Sequence, residues 1–388
     1  MDTPIDKDEV IDLTRELVRT PSLNPPGDTR DCAALILRTF KKERIDAEII
    51  EGKKGLCNVV ARLPGREKGK TLLLNGHIDV VPPGEGWTVD PFGAEIRDGR
   101  LYGRGTCDMK SGIASMMAAM IGLKRSGAAF HGEIVFMGAS DEETGSEFGT
   151  LYLLKKGIGE KADFGIVSEP TSLRVELGNR GLRWIDITIR GKASHAGRPH
   201  LGVNAIFYGA KLIEAIHSMK FRNRNDAFEI PEPSISVTQV HGGTKENIIP
   251  DRCELVLDRR MIPGETNETV LAELKEVADP ILQTEKDLRI EWKMRPVYWD
   301  PYLISESEPV AQATIDSARE VLGEKPAIGG KGACTDASYL FHLGKIPTVL
   351  YGPGDETLSH KPDECVPIRN LLAATEVYLS VFKKLLGP

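Results

Sequence analysis

The sequence predicts an α/β protein: a layered, mostly parallel sheet domain interrupted by an inserted α+β unit of ferredoxin-like order. Three observations predict it. Short, β-rich, nearly continuous apolar runs at 57–63, 71–75, 133–139 and 164–168 read as strands covered on both faces. Helical spacing of apolar positions lies between or before them, at 7–19, about 30–43 and 111–125, as in a layered sheet. Near residue 180 the pattern changes to apolar–polar alternation, the mark of a half-exposed antiparallel strand.

Each element follows in order. KDEVIDLTRELVR opens the chain as a helix, and SGIASMMAAMIGLKR, apolar on most sides, reads as a buried one. RWIDITIR at 183–190 is the first alternating strand, followed by an amphipathic helix at 201–219. Strands at 234–243 and 252–261, a helix at 266–283 and a strand at 288–293 complete the order β-α-β-β-α-β. The layered pattern then resumes, with EPVAQATIDSAREVLG as a helix, KIPTVLYG as a strand and a C-terminal helix from about 367. The domains are therefore expected at 1–180 with 297–388, and at 181–296 as the insertion.

A length of 388 residues favours two domains over one core. The formal charge of −7 and the lack of a basic stripe argue against nucleic-acid binding. No apolar run reaches membrane-spanning length, and MDTPIDKDEV lacks a signal-peptide pattern, so a cytoplasmic location is expected. Six cysteines without a C-x-x-C pair fit reduced thiols. Cys107 and Cys334 fall inside motifs, but a free cysteine is usually a small buried hydrophobe, and thiol chemistry is the weaker reading.

Five segments put metal-binding side chains just past a predicted strand or in a glycine-rich loop. They are TLLLNGHID (His77, Asp79), YGRGTCDMKSG (Asp108), VFMGASDEETG (Glu142, Glu143), GIVSEP (Glu169) and LSHKP (His360). Sites in open α/β sheets form outside the carboxyl ends of strands. Four of the segments have an ordinary explanation: His77 as a hydrogen-bonded structural residue, Asp108 as a cap for the helix near Ser111, Glu142 and Glu143 as a solvated loop, Glu169 as a loop residue. Together, the four carboxylates of Asp108, Glu142, Glu143 and Glu169, beside the two imidazoles, would repel one another without cations. Imidazole with carboxylate and no thiolate suits zinc, cobalt or manganese. Asp79 can accept the second ring N–H of His77. Glu142 and Glu143 can both face one site only if the strand has ended, and Gly138, Ser140 and Gly145 permit a turn.

The strings NGHIDVVP, FGAEIRDGRLYGRGTCDMKSG, SDEETGS, SEP, SHAGRPHLGVNAI, ENIIPD and LSHKPDE, in order from about 73 to 364, resemble the co-catalytic dinuclear zinc metallopeptidase and deacylase family. That family includes acetylornithine deacetylase, succinyl-diaminopimelate desuccinylase, aminoacylase and glutamate carboxypeptidase. The resemblance implies a zinc-peptidase sheet domain and an inserted lid and dimerisation domain, with hinges near 179–183 and 294–300. It implies two divalent ions: Asp108 bridging, His77 and Glu169 completing one metal, Glu143 and His360 the other, and Glu142 as general base. It further implies a cis bond after Asp108 and amide hydrolysis by a water shared between the metals.

In the inserted unit the resemblance assigns His195 as a donor to the reacting carbonyl, supplied across a homodimer, against the plain alternative of a solvated loop histidine. Asn247 and Arg260, thirteen positions apart, match a substrate-binding pair. The alternative of a surface arginine is fair for Arg259 and weaker for Arg260. GKGACTDASYLF resembles a pocket-closing loop; Thr335 is placed with the substrate-binding residues, and Thr335 or Asp336 is expected to cap the next helix. Ala333 and Cys334 stand where the family often has glycine. The expected substrate is an N-acyl amino acid of the acetylornithine or succinyl-diaminopimelate type. A carboxypeptidase or dipeptidase is the alternative. A non-catalytic binding homologue is disfavoured because every expected position is present, and a two-metal phosphoesterase because of the motif order.

Overall fold

The computed structural model describes residues 5–296 and 299–387. The expected rejoining point at 297 lies outside the described residues. The chain forms two compact units, one of 1–179, 303–331 and 335–388, the other of 180–302 and 332–334.

In the first unit the central sheet runs Asp46–Lys53, Leu56–Pro64, His131–Ala139, Glu67–His77, Phe164–Val167, Thr348–Leu350, Val175–Asn179, and Ile328–Lys331 also pairs with Val175–Asn179. Its centre is parallel: Glu67–His77 lies between His131–Ala139 and Phe164–Val167, both parallel to it. The three therefore end on the same edge. The hairpin of Asp46–Lys53 and Leu56–Pro64 adds an antiparallel margin. The predicted runs are the buried parts of these strands; Leu72, Leu73, Leu74, Val135, Phe136 and Ile166 are sealed from water.

Helices cover the sheet where spacing predicts them, at Lys7–Val18, Arg30–Lys42, Lys110–Ser126, Pro309–Leu322 and Ile368–Leu386. Lys110–Ser126 is buried over most of its length, which explains its apolar character on nearly every side. Gly112 lets its first turn approach the strand end closely. A Cβ there would lie 2.4 Å from the carbonyl oxygen of Ser168, next to Glu169.

The second unit holds a four-stranded antiparallel sheet in the order Ser234–Gly242, Arg252–Met261, Gly181–Arg190, Arg289–Met294. With helices Ala205–His217 and Asn267–Leu282 this is the ferredoxin-like β-α-β-β-α-β order. Ile185, Ile187 and Ile189 alternate inward and meet Cys253, Leu255 and Leu257. Each such buried aliphatic side chain contributes about 1.5–3 kcal/mol. The first helix begins at Ala205 rather than 201, because Asn204 accepts hydrogen bonds from the backbone N–H groups of Ile206 and Phe207 and sets the start there.

Candidate active site

Three of the expected residues or pairs come from the shared carboxyl edge of the three parallel strands. His77 ends Glu67–His77, Glu142 and Glu143 follow His131–Ala139, and Glu169 follows Phe164–Val167. The strand does end before the paired glutamates: Asp141 has φ 69°, and Glu142–Thr144 form a single 3₁₀ turn. Asp108 directly precedes the helix Lys110–Ser126. Met109 occupies the cap position without a side-chain bond, so the Asp108 carboxylate is not spent on capping. The bond between Asp108 and Met109 is cis. His360 lies just past the turn Glu356–Leu358.

The side chains converge. His77 Nε2 is 2.9 Å from Asp108 Oδ1, and His360 Nε2 is 3.6 Å from Asp108 Oδ2. His360 Nε2 is also 3.2 Å from Glu143. Ligand atoms of His77, Asp108 and Glu143 all lie within 4.8 Å of one another. Imidazole and carboxylate oxygen donors at this separation are a donor set for a divalent metal ion.

The charge balance supports that fit. Burial raises the Glu169 carboxyl to about 8, and the neighbouring Asp108 adds to the rise. Withdrawal from water, with Glu169, Asp336 and Glu143 nearby, lifts Glu142 well above the usual carboxylate range. Burial would lower His77, but Asp108, Glu142 and Asp79 outweigh it and hold the imidazole well above its usual range. Carboxylates crowded in this way take up protons unless cations neutralise them.

Asp79 holds the neighbourhood in a different manner from the one expected. The Nδ1 of His77 is 2.9 Å from the backbone carbonyl of Asp79 and 3.7 Å from its carboxylate. The ring N–H therefore has a nearer acceptor, and the buried carboxylate is turned elsewhere. It accepts from the backbone N–H groups of Glu142 and Glu143, both at 3.3 Å.

Glu364, Arg104 and Lys331 escaped the sequence reading, and Asp336 entered it only as a helix cap. Glu364 accepts from the backbone N–H of Cys107 at 2.7 Å and of Asp108 at 3.1 Å, and forms a buried ion pair with Arg104. Lys331, also buried, donates to the carbonyl of Pro170 and to Glu356, so it touches the segments that carry Glu169 and His360. Asp336 accepts from Ser146 and from Thr150, the latter at 2.6 Å, behind the paired glutamates. Their only sequence signal is membership of the quoted strings, since every contact is long-range. Thr335 is fully buried; its hydroxyl donates to Asn179 at 3.1 Å and accepts from the N–H of Ala337, capping the short helix Ala337–His342.

The remaining expected residues lie in the second unit. His195 is exposed on the short strand Ser194–His195, paired with Ile248–Ile249, which follows Asn247. Its Nδ1 accepts from the N–H of Gly197 at 3.0 Å. Arg260 is half-buried, its Nε 2.8 Å from Asp258. Arg259 is not a surface residue: it is 1% exposed, paired with Glu265 and Glu273, with its guanidinium 4.3 Å from the centre of the Phe221 ring. Inward alternation along Arg252–Met261 puts it there.

Comparisons with known proteins bear on the family and the fold. The model of peptidase family M20/M25/M40 matches residues 73–384. The chain is 31% identical over 386 residues to the succinyl-diaminopimelate desuccinylase of Gluconacetobacter diazotrophicus, covering 97% of this chain and 96% of that one. A tripeptidase from Staphylococcus aureus is similar in structure, with TM-score 0.81, 25% identity and 98% of each chain covered. A dinuclear metal-binding M20 peptidase from Bacillus subtilis shares the fold, with TM-score 0.74, 19% identity and 97% of each chain covered.

Proposed function

This chain belongs to peptidase family M20/M25/M40 and is a hydrolase acting on amide bonds, and on that premise we propose that it removes the acyl group of an N-acyl amino acid, of the N-succinyl-diaminopimelate or N-acetylornithine type. The observation that carries the reading is the convergence of His77, Asp108, Glu143 and His360, with Glu169 on the same strand edge, joined to relatedness over nearly the whole chain to a desuccinylase.

His77, Asp108, Glu143, Glu169 and His360 would hold two divalent ions, zinc by preference, with cobalt or manganese as alternatives. The two oxygens of Asp108 facing two different imidazoles support its role as the shared ligand. When bound, such ions polarise the scissile carbonyl and bring the pKa of water from ~15.7 toward ~7. Glu142, free of any role as a ligand, takes the proton of the attacking water at a carboxylate oxygen and passes it to the leaving nitrogen. Its N–H bond to Asp79 keeps it beside Glu143. Arg260 is the proposed partner of the substrate carboxylate and Asn247 a further polar contact. Thr335 acts by shaping the segment after Lys331, given its burial.

A homodimer through the second unit is part of this reading. Among the described residues the edge strand Ser234–Gly242 pairs on one side only, and Phe207, Leu201, Ile206 and Val240 expose apolar surface. His195 is the proposed donor to the reacting carbonyl from the partner subunit; its exposure supports that availability. A cytoplasmic location is part of this reading, supported by the free, buried thiols of Cys32, Cys57, Cys107, Cys253 and Cys365. Among the described residues no helix is long and apolar enough to cross a membrane.

A peptidase acting on short peptides is the second reading, favoured by the likeness to the tripeptidase. Zinc- or cobalt-loaded enzyme assayed on N-succinyl, N-acetyl and N-formyl amino acids beside di- and tripeptides separates the two. The deacylase reading expects the highest kcat/KM on an N-acyl amino acid. Higher values on the peptides would replace it with the second.

A further inference from the structure

The segment Ser22–Asn24 runs beside Ile78–Val80, just past His77, as a short parallel brace. The N–H of Asn24 donates to the carbonyl of Val80 at 2.9 Å, the N–H of Val80 to that of Ser22 at 3.0 Å, and the Ser22 hydroxyl to that of Ile78 at 2.6 Å. This fixes the Asn24 side chain, 5% exposed, against the site. Its amide nitrogen, which carries two hydrogens, lies 2.9 Å from Asp79 Oδ2, 3.1 Å from Thr144 Oγ1 and 3.3 Å from Asp141 Oδ1, so one hydrogen is shared between two of these acceptors. Two of these partners are carboxylates, which only accept when ionised, so the amide must present its N–H₂ and not its oxygen. Asp141 and Thr144 bracket the turn that carries Glu142 and Glu143. Asp79 holds the two backbone N–H groups of that turn. One amide therefore grips the turn at both ends and, through Asp79, in the middle.

We propose that Asn24 is a positioning residue that sets the carboxylates of Glu142 and Glu143 by bracing the turn between Asp141 and Thr144 through Asp79. This rests on the roles given above to those two glutamates. Asn24 contacts no expected ligand side chain and no substrate-binding residue, so its effect belongs in kcat and not in KM. Loss of an outer partner of this kind lowers activity on the order of 10–100-fold.

The test uses Asn24→Asp, which keeps the shape but sets a third carboxylate against two others, and Asn24→Leu, which keeps the volume without the donors. Both are loaded with cobalt, and kcat, KM, bound cobalt, visible spectrum and Tm are read beside the wild type. The proposal expects kcat to fall at least tenfold, KM to stay within about twofold and cobalt content to be retained. It also expects an altered cobalt spectrum, because Glu143 has moved. Wild-type kcat and spectrum in either folded variant overturn it. A parallel collapse of Tm, cobalt content and activity in both variants overturns it too, as plain structural support. If wild-type enzyme hydrolyses none of the substrates, the proposed function fails, and the spectrum alone still decides the role of Asn24.

Discussion

Removing the Glu364 carboxylate is expected to cost more stability than any other single change near the site. Glu364 is fully buried, and its ion-pair partner Arg104 is 1% exposed. Taking away one partner of a buried pair leaves an uncompensated charge and costs about 3–5 kcal/mol. Glu364→Ala also strips the acceptor from the N–H groups of Cys107 and Asp108, each worth roughly 1–3 kcal/mol when left unsatisfied. The contacts share one carboxylate and do not add in full, so the expectation is about 5 kcal/mol for Glu364→Ala. Glu364→Gln keeps an oxygen for the two N–H groups but loses the charge, and about 3 kcal/mol is expected. Burial lifts the Glu364 carboxyl to about 7 although Arg104 pulls it down, so the comparison belongs at about pH 8, where it is ionised. Urea unfolding of both variants gives the losses, and adding Arg104→Met and the Arg104→Met, Glu364→Gln double variant gives the coupling. Losses under about 1 kcal/mol in both single variants would refute the reasoning.

Glu142→Gln should retain both ions by mass spectrometry while kcat falls on the order of 10²–10⁴-fold, the range of a positioned acid–base group; near-normal turnover would remove Glu142 from the chemistry. Metal-free protein should lose stability as pH rises from about 4.5 to about 8. Glu169, raised to about 8 by burial and Asp108, keeps its proton in the folded chain after the unfolded chain has lost it, so the folded state binds more protons across that window. A Tm lower at about pH 8 than at about pH 5.5, with a smaller difference once ions are bound, is the expected reading. Arg260→Ala should raise KM for substrates with a free α-carboxylate and leave carboxamide analogues unaffected; equal effects on both would count against the assignment.

The elements that the sequence made legible are those where burial alone decides. Leu72–Leu74 and Val135–Phe136 are apolar because helices cover both faces, and the alternation at 183–190 follows the one buried face of the second sheet. The strand Asp46–Lys53 was not legible, because it lies on the sheet margin and mixes exposed acidic residues with its isoleucines. The convergence of His77, Asp108, Glu143 and His360 was legible from strand ends and motif order. The residues that hold it in place were not. Asn24 reaches Asp79 across 55 positions and Glu364 reaches Cys107 across 257, and no local pattern encodes either contact. The same limit explains His77. Spacing offers the Asp79 carboxylate to its ring, but the fold gives the ring a nearer backbone carbonyl and uses the carboxylate for the turn at 142–143.

In the proposed function, five side chains from one sheet edge and two loops hold the ions on which amide hydrolysis depends. Metal-free protein titrated with cobalt, with bound metal and turnover of an N-acyl amino acid read on the same samples, tests it most directly. Activity absent at the start, rising with binding and reaching its plateau at two ions per chain is the predicted result. Full turnover in the metal-free protein would contradict it.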